Sequence, residues 1–329
     1  MWLGIDFGTT NTSAAVFDGE GLNYIPLDPQ NSSEHNLRSL IYIDRNQRVR
    51  LGMDAARTFL REDTGRPVVL EEKVVGTIEN TVARRERSPL DPDGPITIVY
   101  DVVIDEDVGI RGRLLQSIKT ALRSASYKGT QVFERYYAVE ELIALILAHV
   151  KRQAELHLRQ PVQHAVIGRP VTFSHHDEGD RSAEEKIRQA ARLAGFSEIV
   201  FVPEPVAAAA YYVSRSAQEE TILVFDFGGG TLDLTVMRVG ATGQQHVLSS
   251  VGVLVGGDDL DSALMREKVA PYFGTRSSID KNFDGRPIPF PEQMAELLEH
   301  WQTIPECDET STPRCHPARH PLQRRSGCV

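Results

Sequence analysis

The chain has 329 residues, 41% of them apolar and 25% charged, with a formal net charge of −10. That length suits two domains with full cores, and the acidic balance argues against nucleic acid or an anionic membrane surface as the main partner, because both are held by basic patches. No apolar run approaches the roughly 18–20 residues that span a bilayer.

The first residues open directly into a strand with no leader-like apolar region, so nothing suggests export. All three cysteines (Cys307, Cys315, Cys328) lie near the C-terminal end. A cysteine-free body suits a reducing compartment, and the expectation is a cytoplasmic protein.

The chain begins with Leu3-Gly4-Ile5-Asp6-Phe7-Gly8-Thr9-Thr10-Asn11-Thr12-Ser13-Ala14-Ala15-Val16. An apolar run, an acid, a tight turn of Gly and Thr and a second alternating run predict a β-hairpin. Leu40–Ile43 reads as a strand and Asp54–Leu60 as a short helix. The acidic stretch 67–112 yields only the strand Ile96–Ile104. Leu114, Leu115, Ile118 and Leu122 predict a helix over Arg113–Ser124. Leu142, Ile143, Ile146, Leu147 and Val150 predict a long amphipathic helix over Val139–Leu158, stopped by Pro161. Val162–Ile167 reads as a buried strand. Ser182 and Glu185 read as the capping box of a helix ended by Gly195. The strand Ile199–Val202 leads to Pro203-Glu204-Pro205 and an alanine-rich helix, Val206–Val213. A hairpin over Thr221–Val239, a strand over His246–Val255 and a helix opened by Gly256-Gly257-Asp258-Asp259 complete the series. Strands alternating with helices, built twice, predict an α/β chain of two lobes with a cleft between them.

The second hairpin repeats the first: Ile222-Leu223-Val224-Phe225-Asp226-Phe227-Gly228-Gly229-Gly230-Thr231-Leu232-Asp233. Glycine lets each turn approach a ligand closely, and several amides can converge on one anion. Two such hairpins facing one another would hold a polyphosphate between them, with Asp6 and Asp226 beside a divalent cation. Asp-Phe-Gly also occurs in protein kinases, but their Gly-rich loop, Val-Ala-Ile-Lys strand and His-Arg-Asp loop are absent.

These hairpins, with Val166-Ile167-Gly168-Arg169-Pro170-Val171-Thr172-Phe173, Glu204-Pro205-Val206-Ala207-Ala208-Ala209 and Val255-Gly256-Gly257-Asp258-Asp259-Leu260-Asp261, resemble the actin-like ATPase superfamily. Within it they are similar to the ATPase domain of the seventy-kilodalton heat-shock chaperones, and Gly168-Arg169-Pro170 and Ser117-Ile118-Lys119 are most like the short DnaK-like branch of the YegD type. The resemblance runs from residue 1 to about residue 270.

The resemblance implies duplicated ribonuclease H-like lobes: residues 1–170 as lobe I, 171–303 as an incomplete lobe II, and 304–329 as a disordered or frame-shifted tail. It implies hydrolysis of Mg·ATP, a reaction that needs positioning and charge neutralisation more than covalent help. Asp6 and Asp226 become metal ligands directly or through water. Gly8, Thr9, Thr10 and Asn11, with Gly228, Gly229, Gly230 and Thr231, become donors to the phosphates. Gly256, Gly257 and Asp258 add a helix start. Glu204, its backbone held extended between two prolines, orients water around the metal. Asp233 helps place the attacking water, Thr231 is a catalytic residue beside the phosphates, and Lys119 covers the γ-phosphate, with Lys73 as its rival. Pro170, with Arg181 as its partner, relays nucleotide state. ATP and ADP, with unfolded clients or co-chaperones, are the implied partners.

From about Ile304 the composition changes to Pro, Arg, His and Cys, and no paired glycine with a following Arg is found to hold adenosine. A prematurely ended chain is the expectation there. A zinc site from Cys307, Cys315, His316, His320 and Cys328 lacks the close Cys pair such sites use. The loop His175, His176, Asp177 and Asp180 reads as solvated rather than metal-binding. Two alternatives stay open, a non-catalytic nucleotide sensor or scaffold and a sugar or acyl-phosphate kinase of the same superfamily.

Overall fold

The first Asp-Phe-Gly stretch folds as a hairpin. Strands β1 (Trp2–Phe7) and β2 (Asn11–Phe17) pair antiparallel, with Asp6 opposite Ser13 and Phe7 opposite Thr12. Alternation sends Leu3, Ile5 and Phe7 into the core and leaves Asp6 on the opposite face. Strands β3 (Leu22–Tyr24) and β4 (Asn36–Arg38) both add to β2. Strands β5 (Ile41–Asp44) and β6 (Val49–Leu51) then pair, and α1 (Gly52–Glu62) follows. The computed structural model describes residues 1–82, 96–124, 126–174, 177–214, 218–240, 244–273, 278–281 and 287–289. The tail at 304–329, His175 and His176, and the side chains of Lys73 and Asp177 lie outside the described residues.

Residues 62–111 form a compact unit of their own. It contains β7 (Leu70–Val82) and β8 (Ile96–Asp107), paired antiparallel with a register break between Val74 and Gly76. Arg66 ties its ends, reaching Asp107 at 2.6 Å and Asp63 at 3.6 Å.

In the other unit, β9 (Gly112–Leu115) pairs with β5, and a 3₁₀ helix covers Ile118–Arg123. The single helix expected over Arg113–Ser124 is therefore two elements. Leu114 and Leu115 lie opposite Tyr42 and Ile41 in the sheet. Ser117 stands at φ 54°, which no continuous right-handed helix contains. Leu115, Ile118 and Leu122 are nonetheless all buried, so the apolar spacing was a true core signal carried on the wrong element.

A short hairpin, β10 (Gly129–Val132) and β11 (Arg135–Ala138), leads into α2 (Val139–Leu158). The Ala138 amide donates to the Glu141 carboxylate at 2.9 Å, closing the helix start. Leu142, Ile143, Ile146, Leu147, Val150 and Ala154 form one buried stripe. Strands β12 (His164–Arg169) and β13 (Glu198–Pro203) are parallel to each other and β12 is parallel to β1, so the sheet runs β13-β12-β1-β2 with β3 and β4 beyond.

The connecting helix α3 (Asp177–Leu193) begins before Ser182. Ser182 is thus interior, and Glu185 reaches Arg188 at 3.5 Å instead of closing a capping box. Asp180 accepts the amides of Phe173 at 2.7 Å and Ser174 at 2.8 Å.

Helix α4 (Glu204–Val213) starts at Glu204 itself, whose backbone is helical rather than extended, with Pro203 capping and Pro205 in the first turn. Strands β14 (Glu220–Phe227), β15 (Leu232–Val239) and β16 (Gln245–Val253) make an antiparallel meander, followed by α5 (Gly257–Leu264). A last pair, β17 (Ser278–Lys281) and β18 (Pro287–Pro289), lies beyond. Ile222 and Val224 of the meander pack with Ala209, Val213, Met237 and Val239. Its other face is bare among the described residues, with Leu223 and Phe225 each 64% exposed. No helix among the described residues is long and apolar enough to cross a membrane.

The stripe on α2 sets the stability of the larger sheet. Leu142→Ala should cost about 2–5 kcal/mol in urea unfolding, while Leu156→Ala, on the exposed side of the same helix, should stay within about 0.5 kcal/mol. Equal losses would contradict this packing.

Candidate functional site

The two hairpins end in the same turn. Gly8 donates its amide to the Asn11 carbonyl at 3.0 Å, and Gly228 donates to Thr231 at 2.9 Å. Asp6 and Asp226 occupy equivalent register positions, facing Ser13 and Asp233 respectively. Among the described residues the amides of Thr9, Thr10, Gly229 and Gly230 donate no hydrogen bond within the protein. Uncommitted donors in successive turn positions are free to converge on an anion.

The two turns meet at their tips. A Cβ on Gly229 would sit 2.5 Å from Thr10 Oγ1, and one on Gly256 would sit 2.3 Å from the Gly229 carbonyl oxygen. A larger residue at Gly256 would force the backbone apart, while one at Gly229 would have to displace the Thr10 hydroxyl. The amides expected from the start of α5 are already engaged. Gly256 donates to Asp259 Oδ2 at 2.8 Å, Gly257 to the Gly228 carbonyl at 3.0 Å, and Asp258 to the Gly229 carbonyl at 2.9 Å. As donors to a ligand these groups are spent; they brace the second turn.

Arg123, from the 3₁₀ helix, donates to the Gly230 carbonyl and pairs with Asp259 at 3.4 Å. Burial pushes the Asp258 carboxyl's pKa up, and the nearby Ser117 side chain, at the start of the same helix, offsets part of this. Arg123 was not singled out from sequence, because it acts through partners more than a hundred residues away.

Beneath the turns lies a group of acids. Lys119 Nζ meets Glu204 Oε1 at 2.7 Å with both side chains largely buried. Gly168 gives Glu204 its room, since a Cβ there would lie 3.1 Å from Glu204 Cγ. Asp6 is open to solvent along one side yet ringed by protein. Burial pushes its pKa up, the Glu204 charge adds to this, Lys119 opposes it, and Asp226 raises it further. Asp226 is raised by burial first and by Glu204 second, against Lys119.

Asp233 is pushed up to about 6, chiefly by burial, against the Val171 amide that donates to its Oδ2 at 3.2 Å. Among the described residues its Oδ1 is buried without a hydrogen-bond partner. Gly252 makes way for that oxygen, as a Cβ there would come within 2.8 Å.

The structure thus brings Asp6, Lys119, Glu204, Asp226 and Asp233 into one interacting set, beside Gly8, Thr9, Thr10, Asn11, Gly228, Gly229, Gly230 and Thr231. Among the described residues no three His, Cys, Asp or Glu side chains form a complete metal-ligand cluster. The guanidinium holding the Pro170 carbonyl is that of Arg169, at 3.2 Å, rather than Arg181. Arg169 is anchored in turn by Glu184 at 3.2 Å.

The Asp233 shift has a testable sign. A carboxyl whose folded pKa of about 6 exceeds its ordinary 3.8 stabilises the fold fully below pH 3.8 and loses that contribution as pH rises through about 6. Asp233→Asn keeps an acceptor for Val171. Without metal or nucleotide, it should melt higher than the parent at pH 8, with the gap closing between about pH 6 and pH 4. A gap that is constant with pH would contradict the assignment.

Residues 115–296, more than half of the chain, match the family model described as Hsp70 protein. The chain is 30% identical over 284 residues to a chaperone protein DnaK of Elusimicrobium minutum, covering 86% of this chain and 37% of that protein. It is 37% identical over 156 residues to the chaperone protein DnaK of Thermoplasma volcanium and 39% identical over 156 residues to that of Thermoplasma acidophilum, covering 47% of this chain and 24% of the relative in each case. The chain spans about a quarter to two fifths of the length of these relatives. With its mixed α/β sheets it has the actin-like ATPase fold, and it belongs to the Hsp70 family, within that family's ATPase domain.

Proposed function

We propose that this chain binds Mg·ATP between its two Asp-Phe-Gly hairpins and hydrolyses it to ADP and phosphate, as the nucleotide-driven part of a chaperone. The observation that carries the proposal is the pair of touching turns, with the amides of Thr9, Thr10, Gly229 and Gly230 uncommitted, set beside a carboxylate group containing a single lysine. Both halves of the ligand suit this place. Uncommitted amides and the Thr9, Thr10 and Thr231 hydroxyls suit phosphate oxygens. Carboxyls whose pKa is pushed up by burial and by neighbouring negative charge gain from a cation.

Asp6 and Asp226 would hold Mg²⁺, which takes few carboxylates and keeps several waters; once bound it neutralises charge on the β- and γ-phosphates. In this proposal the turn amides fix the phosphate chain so that its terminal P–O bond points toward Asp233 and Glu204. The partnerless Asp233 Oδ1 orients the attacking water and takes its proton. Lys119 exchanges part of its bond with Glu204 for the γ-phosphate, stabilising the charge that spreads over the transferred group.

Residues 1–170 then act as the first lobe and 171–303 as the second, working in the cytoplasm. The relatives' name, chaperone protein, makes unfolded polypeptides or co-chaperones the macromolecular partners to test.

Lys119→Ala should remove roughly 3–4 kcal/mol of transition-state stabilisation, abolishing phosphate release while Mg·ATP still binds in calorimetry. A parent chain that binds Mg·ATP but releases no phosphate would replace the ATPase with a non-catalytic sensor. Unchanged hydrolysis in Lys119→Ala, with Lys73→Ala inactive, would move the lysine role to Lys73.

A further inference from the structure

We infer that Arg38 is an additional phosphate-binding residue of this site and that it reads the terminal phosphate of the nucleotide. The inference rests on the Mg·ATP reading. A cavity of about 300 Å³ opens at the two turns, and Arg38 shares its wall with Thr9, Thr10, Gly229 and Gly257. Arg38 ends β4, where it lies opposite Asn11 of the first turn.

Its place is set by the next residue. The Ser39 amide donates to the Thr10 carbonyl at 2.9 Å, and the Ser39 hydroxyl donates to the Gly8 carbonyl at 2.8 Å. The same hydroxyl meets that of Thr12 at 3.1 Å. Two carbonyls of the first turn are thereby consumed, so the turn offers the cavity donors rather than acceptors. The strand that does this brings an arginine to the same rim.

Arg38 differs from the other arginines around the site. Arg123, Arg169 and Arg188 each pair with a carboxylate. Among the described residues the Arg38 guanidinium has neither an ion pair nor a hydrogen bond, although Asp258 and Asp261 line the same cavity. A guanidinium presents a fork that matches phosphate oxygens two at a time. The four uncommitted amides offer the phosphate chain neutral donors, and Arg38 adds to Lys119 a second cation for the terminal group, where charge is greatest at neutral pH. Arg38 thus makes the site discriminate ATP from ADP.

The test is competition of unlabelled ATP and ADP against a fluorescent ATP analogue, in Mg²⁺, on the full 329-residue chain. Arg38→Ala should weaken ATP by about tenfold or more and ADP by less than about threefold. Arg38→Lys should fall between Ala and the parent for ATP, and melting temperatures should agree among the three. Equal weakening of both nucleotides, or none, in a chain whose parent binds ATP would overturn the inference alone. A parent that binds neither nucleotide would overturn the Mg·ATP reading and the inference with it.

Discussion

Among the described residues four carboxyl groups and one ammonium stand within electrostatic reach of one another, and the rest of the site follows from that imbalance. Asp6, Asp226 and Asp233 are each pushed toward the neutral form by burial and by the Glu204 charge, while Lys119 offsets only part of the repulsion. A fold selected for stability alone would replace such a group with apolar residues of similar volume. The group stands where two turns expose four uncommitted amides. Conflicts of this kind between local charge and stability are expected at functional sites.

The duplication is close at the turns and weak away from them. Gly8 and Gly228 close the same four-residue bond, and Phe7 and Phe227 hold equivalent positions. Phe7 is 1% exposed, however, and Phe227 is 45% exposed. Among the described residues the first strand faces a core of more than thirty buried residues that includes the stripe on α2, whereas the small core of the meander holds four. What the two halves share is the turn, its acid and the direction in which the strand presents them. What they do not share, among the described residues, is the cover on the opposite face.

Repeats and periodicities that act locally were readable in advance. Both hairpins, the long helix over Val139–Leu158 and the opening of α5 appear where the apolar spacing and turn residues put them. The misses share a cause. Leu114, Leu115, Ile118 and Leu122 satisfy helical spacing, but cross-strand pairing with Ile41 and Tyr42 captured the first two. Ser182 and Glu185 matched a capping box, yet α3 runs back to Asp177, an extension that no local signal announced. In each case tertiary contacts overrode a local pattern.

The site shows the same division. The equivalent placement of Asp6, Asp226 and the turn glycines was legible because each hairpin is written within a few consecutive residues. The Gly256 and Gly257 amides were expected to face a ligand, and only the coordinates reveal that Asp259 and the Gly228 carbonyl take them. Arg123, Ser39 and Arg38 were invisible for a similar reason, since each matters through a partner far away in the chain.

The central claim is that paired acids and paired turns form one receptor for a metal–polyphosphate complex. Isothermal titration calorimetry of ATP into the chain, with Mg²⁺ and then with a chelator, tests it most directly. The account predicts one site whose affinity rises at least about tenfold with Mg²⁺, and loss of that metal dependence when Asp6 and Asp226 are both changed to Asn. ATP binding of equal strength with and without Mg²⁺, or metal dependence that survives the double substitution, would contradict it.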